Sequence, residues 1–176
     1  MKIGVVGVGA LGGYYGGLLH RAGAEVHLLL RTDYDMVRSN GIRIDSGEET
    51  VSVQPHCHQR PETIGECDLV LVGLKSTAND RYQELIGPLT GPYTAIVCLQ
   101  NGLGNCEQLA ALFDPEQILA GLCFVCLNRT APGVVAHQGF GKIVLGEFGR
   151  PALSRTCLLY TSDAADEGLG VDLGGR

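Results

Sequence analysis

The sequence predicts an α/β protein of the doubly wound Rossmann type, with a mainly parallel sheet. An apolar run at residues 2–6 ends in a glycine-spaced turn, and apolar residues then recur at helical spacing over residues 10–22. A continuous apolar run at residues 68–74 is typical of a central parallel strand that is covered on both faces. Strand-like and helix-like segments alternate along the rest of the chain, as they do in α/β sheets.

The first thirty residues predict a βαβ unit. Gly23 ends the helix, and a β-rich run at residues 25–30 supplies the second strand. Because two adjacent parallel strands need a crossover connection, the helix makes that connection, and the crossover is expected to be right-handed.

The later segments extend the sheet. Residues 41–45 and 50–54 alternate apolar with polar side chains, which predicts an exposed hairpin. The elements expected next are a strand at 68–74, a helix at about 78–89, a strand at 93–99, a helix near 106–112 and a strand at 117–122. Residues 134–137 and 142–146 predict a terminal hairpin around a turn at 138–141.

Composition excludes several classes of function. The chain has 176 residues, and 13 Lys and Arg against 19 Asp and Glu give a net charge of −6, which argues against nucleic-acid binding. No apolar stretch approaches the roughly 18 residues of a membrane span, and no secretory signal precedes the first strand. We therefore expect a cytoplasmic protein with no membrane partner. Nothing in the sequence addresses the oligomeric state.

The seven cysteines lie in apolar runs and suit buried, reduced thiols. The spacing of Cys123 and Cys126 resembles a metal or redox motif, and so does the pair His56 and His58. Each pair lacks the further ligands that a closed metal site requires, so no metal is expected.

The turn after the first strand carries the strongest functional motif. Gly7, Gly9 and Gly12 fit the spacing G-x-G-x-x-G, between a predicted strand and a predicted helix. The first glycine allows a tight turn, the second lets the backbone approach a pyrophosphate, and the third lets helix and strand pack closely. Unpaired amides at the start of the helix favour the negative charge of a phosphate. The motif predicts a dinucleotide, although flavin or another adenosine-bearing ligand would also fit.

Arg31 ends the second predicted strand, where proteins that bind NAD usually carry Asp or Glu. A guanidinium can hold a 2′-phosphate in a bidentate fork, whereas a carboxylate would repel it. This residue favours NADP over NAD. The alternative is an ordinary solvated arginine at a strand end.

Two further polar residues follow predicted parallel strands. Lys75 comes directly after the run at 68–74, and Asn101 lies just beyond the strand at 93–99. Ligands of open parallel sheets bind beyond the carboxyl ends of the strands, so both residues are candidates to meet the substrate or the nicotinamide. A surface lysine and an ordinary Asn-Gly turn are the structural alternatives.

Together these residues resemble the ketopantoate reductase (2-dehydropantoate 2-reductase) family over about residues 1–156. The similar stretches are residues 7–16, 28–31, 71–75, 99–105, 129–135 and 142–147. The resemblance implies NADPH-dependent reduction of the 2-keto acid ketopantoate to pantoate, in pantothenate and coenzyme A biosynthesis. It implies that the cofactor NADP is bound by Gly7, Gly9, Ala10, Leu11, Gly12 and Arg31, and that Lys75 and Asn101 meet both cofactor and substrate as the catalytic residues.

The resemblance implies a helical C-terminal domain that supplies a general-acid lysine, and we expect that domain to be missing from this chain. Residues 157–176 instead resemble a translated sequencing adapter. We therefore expect a natural NADP-binding domain at 1–156, a poorly ordered non-native tail at 157–176, and a cofactor-binding fragment with little turnover. Two other interpretations stay open: a reductase of another 2-keto acid, and a non-catalytic NADP-binding module.

Overall fold

A computed structural model describes residues 1–47 and 49–156, so the expectations for residues 157–176 lie outside the described residues. The described strands are β1 (Lys2–Val6), β2 (Glu25–Leu29), β3 (Ile42–Ser46), β4 (Glu49–Val53), β5 (His56–His58), β6 (Leu69–Val72), β7 (Ala95–Cys98), β8 (Ile118–Ala131) and β9 (Val134–Glu147). The α-helices are α1 (Ala10–Arg21), α2 (Tyr34–Asn40), α3 (Tyr82–Ile86) and α4 (Asn105–Ala110).

The strands form one sheet of order β4-β3-β9-β8-β7-β6-β1-β2-β5. β3 pairs with β4, and β8 with β9, in antiparallel fashion, whereas the other pairs are parallel. β2 and β5 lie on one side of β1, and β6, β7, β8 and β9 follow on its other side. β3 and β4, which come between β2 and β5 in the chain, lie beyond β9 at the opposite edge of the sheet. This arrangement confirms the doubly wound, mainly parallel fold that the sequence predicts.

Alternate side chains of the central strands enter two cores, one on each face of the sheet. Val5 belongs to the core beside α1, whereas Val6 faces the opposite core. Tyr82 and Ile86 of α3 and Leu109 of α4 fill that second core. Since both faces are covered, each central strand is apolar throughout, which explains the continuous apolar runs in the sequence.

Glycines on α1 let this helix lie close to the sheet. A Cβ on Gly16 would lie 3.2 Å from Val5, and one on Gly17 would lie 2.8 Å from Ile44. The helix therefore contacts both β1 and β3. The expected hairpin of β3 and β4 is present, but the expectation that it is exposed is wrong for β3. Ile42 and Ile44 are only 1% exposed, because β3 pairs with β9 and is covered by α1.

The single helix expected at residues 78–89 is also a wrong prediction. Two 3-10 helices, Ser76–Arg81 and Gly87–Leu89, flank the short α3. The first contains a non-helical backbone conformation at Ala78, and the second carries Pro88, which has no N–H to continue an α-helical ladder. No helix within residues 1–47 and 49–156 is long and apolar enough to span a membrane.

The C-terminal hairpin differs most from its prediction. The expected turn at 138–141 lies inside β9, a single strand of 14 residues, and the chain reverses at Pro132 and Gly133 instead. Gln138 and Gly141 have no partner residue in β8, so each forms a β-bulge. The residues that resembled a turn therefore lie within a paired strand.

We call β8 and β9 the long hairpin. The strand expected at 117–122 is only the first part of β8. One face of the long hairpin packs on the core beside α1, whereas Leu122 and Phe124 on the other face are 58% and 54% exposed. Cys123 is partly buried, but Cys126 is exposed, so the expectation of buried thiols is wrong at that position. The six cysteines of the described residues are free thiols.

Candidate functional site

The turn after β1 contains two glycines that the protein's own backbone requires. Gly7 has a φ of +96°, and a Cβ there would lie 2.4 Å from the backbone nitrogen of Leu74. A Cβ on Gly12 would lie 2.3 Å from the carbonyl oxygen of Gly7. These contacts bring the first turn of α1 against β1 and against the segment that follows β6. Packing alone explains both glycines.

Gly9 differs from its two neighbours. It caps the N-terminus of α1 with a φ of −91°, and a Cβ built on it would meet nothing within 4 Å. The negative φ does not by itself require glycine, and packing does not explain one, whereas the close approach of a ligand would. The first turn of α1 has no acidic residue, and no side chain caps it. Ala10, Leu11 and Gly12 therefore present their amides at an end of the helix that favours an anion.

The sheet topology brings the other predicted residues to the same edge. The order in which the chain adds strands to the sheet reverses between the parallel neighbours β1 and β6. Ligands of open α/β sheets bind at such a switch point. The N–H of Gly73 donates to the carbonyl oxygen of Val6 at 2.8 Å, so the segment after β6 starts beside the glycine turn. β7 pairs in register with β6. Lys75 and Asn101 each lie three residues beyond these strands, and both are exposed.

A cluster of side-chain amides joins the two segments that carry Lys75 and Asn101. Asn79 Nδ2 donates to Asn105 Oδ1 at 2.8 Å and to Gln108 Oε1 at 3.0 Å. Gln100 Nε2 donates to Asn79 Oδ1 at 2.9 Å. The 3-10 helix after β6 is thereby connected to the loop after β7.

The same cluster also fixes the backbone of that loop. Asn105, which is 4% exposed, donates from Nδ2 to the carbonyl oxygens of Asn101 at 3.1 Å and Gly102 at 3.3 Å. The Tyr82 hydroxyl donates to Gln100 Oε1 at 2.5 Å, and burial raises the pKa of Tyr82 to about 12. Sequence analysis missed this cluster, because no motif marks amides that lie more than twenty residues apart.

Two thiols flank the loop that contains Asn101. Cys98 ends β7, and Cys106 lies in α4. The Cys98 thiol donates to Gln100 Oε1 at 3.6 Å, and the neighbouring Cys106 thiol lowers the pKa of Cys98. Cys98 is 3% exposed, so this thiol is not open to solvent.

Arg31 follows β2 and is exposed, and none of the described residues holds its guanidinium in a hydrogen bond or ion pair. Two residues further on, Asp33 is buried at the start of α2 and accepts a short hydrogen bond from Arg129 Nη1. Thr32 donates to the other carboxylate oxygen at 3.1 Å. Asp33 and Arg129 line a small cavity together with Gly9 of the glycine turn. Sequence analysis did not identify this ion pair, since its members lie 96 residues apart.

The histidines considered as metal ligands make a different contact. His58 Nε2 lies 3.0 Å from His27 Nδ1, and His56 stacks on His27 at 4.8 Å between ring centroids. The described part of the chain contains no group of three or more His, Cys, Asp or Glu residues arranged to hold a metal ion.

The fold and the glycine turn at this edge of the sheet define a Rossmann-type α/β domain, the class of domain that commonly binds dinucleotides. Residues 3–150 match the family described as ketopantoate reductase PanE/ApbA. The chain belongs to this family.

Individual relatives agree with this assignment. The 2-dehydropantoate 2-reductase of Nostoc sp. is 37% identical over 148 residues, which cover 84% of this chain and 46% of the relative. The crystal structure of 2-dehydropantoate 2-reductase from Geobacter metallireducens GS-15 is 49% identical with a TM-score of 0.87, over 90% of this chain and 53% of that one. The ternary structure of D-mandelate dehydrogenase with NADH and anilino(oxo)acetate shares the fold alone, with a TM-score of 0.87 at 22% identity, over 98% of this chain and 56% of that one. The chain thus spans about half the length of the relatives it matches.

Proposed function

We propose that residues 1–156 form the NADPH-binding domain of a 2-dehydropantoate 2-reductase, which reduces ketopantoate to pantoate in pantothenate and coenzyme A biosynthesis. Family membership supports the reaction class. The observation that carries the proposal concerns Gly9 at the N-terminus of α1. Apart from its chain neighbours, no atom of the described residues lies within 4 Å of the position that a Cβ would take there, so a ligand has room to approach the first amides of the helix. A dinucleotide pyrophosphate is the ligand that this arrangement suits.

The residues present fit the cofactor. The amides of Ala10, Leu11 and Gly12 bind the pyrophosphate, while Gly7 and Gly9 keep the turn narrow enough for its approach. Arg31 binds the 2′-phosphate, because its guanidinium is exposed and free of carboxylate partners among the described residues. When bound, NADPH supplies the hydride for the keto carbon.

Lys75 and Asn101 orient the substrate at the edge of β6 and β7. The ammonium of Lys75 attracts the carboxylate of a 2-keto acid, and the amide of Asn101 both donates and accepts hydrogen bonds. Asn79 and Asn105 hold the two segments at a fixed separation, which reduces the entropy that orientation costs.

The developing alkoxide also needs a proton. The resemblance assigns the proton donor to a lysine in the family's C-terminal domain, and the absence of a general acid typically costs about 10²–10⁴-fold in rate. We therefore expect residues 1–176 on their own to bind NADPH and to turn over ketopantoate slowly.

Titration of the 176-residue chain with NADPH and NADH, followed by nicotinamide fluorescence, tests the cofactor assignment. We expect NADPH to bind at least about tenfold more tightly than NADH. The R31A variant should lose this preference. R21A is the matched control, since Arg21 lies at the opposite end of α1 and pairs with Glu49 at 3.0 Å. Equal affinities for the two cofactors in the unmutated chain would contradict the proposal.

A second titration addresses the substrate. Ketopantoate added to the NADPH-saturated chain should change the cofactor fluorescence, and K75A or N101A should abolish this change. A larger response to another 2-keto acid would favour a different reductase. A cofactor complex that responds to no keto acid would favour a non-catalytic NADP-binding module.

A further inference from the structure

The carboxylate of Asp33 stands close to the expected position of the cofactor ribose. Asp33 follows Arg31 by two residues, and its side chain is 10% exposed. It lines the same cavity as Val8 and Gly9 of the glycine turn. A carboxylate in the segment that follows the second strand is the group that accepts hydrogen bonds from the ribose 2′-hydroxyl of NAD. The chain thus places a carboxylate, which suits the ribose 2′-hydroxyl of NAD, two residues after an arginine, which suits the 2′-phosphate of NADP.

Asp33 is the N-cap residue of α2, but its side chain makes no hydrogen bond to the amides of that helix. One carboxylate oxygen is bound by Arg129, and the other accepts the hydroxyl of Thr32 at 3.1 Å. Each oxygen therefore already accepts one hydrogen bond from the protein, and the Arg129 guanidinium offsets the charge of the carboxylate. The side chain of Arg129 is 43% exposed and comes from the tip of the long hairpin, where its ion pair with Asp33 connects the hairpin to the segment after β2.

The net charge of three residues determines whether the site favours a ribose 2′-phosphate or a ribose 2′-hydroxyl. Arg31, Asp33 and Arg129 together carry one net positive charge, which favours a phosphate. Without Arg129, the charge of Asp33 would cancel that of Arg31, and the freed carboxylate would repel a 2′-phosphate while accepting a 2′-hydroxyl.

We propose that Arg129 determines cofactor specificity: by binding the Asp33 carboxylate it suppresses NAD recognition and leaves Arg31 to select the 2′-phosphate of NADP. This inference rests on the NADPH site proposed above. Arg129 acts through Asp33, and its effect is therefore on the ratio of two affinities rather than on binding as a whole.

The experiment measures dissociation constants of NADPH and NADH for the 176-residue chain and three variants, R129M, D33N and R129M/D33N. We expect R129M to lower the NADPH preference by about tenfold, because an uncompensated carboxylate then faces the phosphate. In the double variant the carboxylate is gone, and the preference should return to within about threefold of the unmutated value.

The D33N variant keeps the test decisive if R129M does not fold. Removal of the buried negative charge frees Arg129 for the phosphate, so the NADPH preference should rise several-fold. A lower preference in D33N would overturn the inference.

R43M is the matched control, since Arg43 pairs with Asp45 at 2.7 Å on the exposed side of β3. It should leave the preference unchanged. If R129M weakens both cofactors equally, or if the double variant fails to recover the preference, Arg129 has only a structural role and the inference is wrong. If the unmutated chain binds neither cofactor, or both equally, the proposed function fails and this inference falls with it. A preference for NADPH that persists in R129M overturns this inference alone.

Discussion

The parallel strands β5, β2, β1, β6 and β7, which we call the parallel half of the sheet, differ from the long hairpin in strand length, burial and regularity. In the parallel half, β1, β2, β6 and β7 have four or five residues each, and most of their apolar side chains are less than 10% exposed. The long hairpin has two strands of 14 residues with three register shifts, and it leaves Leu122, Phe124 and Phe140 exposed. The parallel half fixes the glycine turn and the strand ends with little freedom, whereas the hairpin tolerates bulges and contributes a single charged residue, Arg129, to the edge of the site.

The largest expected effect is a difference between two leucines. Leu28 in β2 is 0% exposed, whereas Leu122 in β8 is 58% exposed. We expect L28A to lower the free energy of unfolding by about 2–5 kcal/mol, through lost burial and the cavity that remains. L122A should stay within about 0.5 kcal/mol of the unmutated chain. Urea unfolding measures both values, and similar losses in the two variants would remove the contrast between the halves.

Glycine substitutions should show the same contrast at smaller scale. G12A forces a Cβ to within 2.3 Å of the Gly7 carbonyl oxygen, while a Cβ on Gly139 in β9 meets nothing within 4 Å. We expect G12A to lower the free energy of unfolding by about 1–3 kcal/mol. G139A should be neutral or stabilising by up to about 1 kcal/mol.

G9A separates stability from binding within the glycine turn. Its Cβ has open space in the free protein, so thermal unfolding should hardly change, whereas NADPH affinity should fall. A variant that binds NADPH as tightly as the unmutated chain would show that Gly9 does not serve the cofactor.

Acid should affect the long hairpin at its C-terminal end. Hydrogen bonds from Arg155 in the first place, and also from Thr156 and Arg150, lower the pKa of Glu147 from its ordinary 4.5 to about 2. Because the folded state holds the carboxylate ionised, its contribution is present above pH 4.5 and is lost as the pH falls towards 2. We expect a loss on the order of 2 kcal/mol across that range.

Urea unfolding at several pH values measures this contribution of Glu147. E147Q should be less stable at neutral pH and should lose less stability on acidification. E84Q is the control, since Glu84 forms a surface pair with Arg81 and is 59% exposed. The same pH dependence in E147Q and the unmutated chain would rule out Glu147 as its source.

The parallel half was predictable from sequence because each of its features is local. A strand covered on both faces is apolar at every position, and the spacing of Gly7, Gly9 and Gly12 between a strand and a helix is visible in the sequence, although Gly7 also contacts the distant segment at Leu74. The long hairpin was predicted wrongly because two glycines and a polar residue at 138–141 carry the composition of a turn. In the structure those residues form bulges, and only pairing with β8 distinguishes a bulge from a turn.

The candidate site divides in the same way. The position of a residue after a strand was enough to bring Lys75 and Asn101 to one edge of the sheet, and their roles stay predictions. The amides of Asn79 and Asn105 and the ion pair of Arg129 could not be predicted, since each contact depends on which distant segments become neighbours. A carboxylate two residues after Arg31 was visible in the sequence, but its partner was not.

β9 lies between β8 and β3 in the sheet, so β3 can pair with β9 only after the ribosome has synthesised β9. Ser46 of β3 contacts His137 of β9, 91 residues later in the chain. At elongation rates of about 5–20 residues per second, the edge of β3 that pairs with β9 stays unpaired for roughly 5–20 seconds before β9 is synthesised. An open edge of that kind is a template for pairing with other chains, so nascent polypeptides of this fold should depend on chaperone protection until β9 emerges.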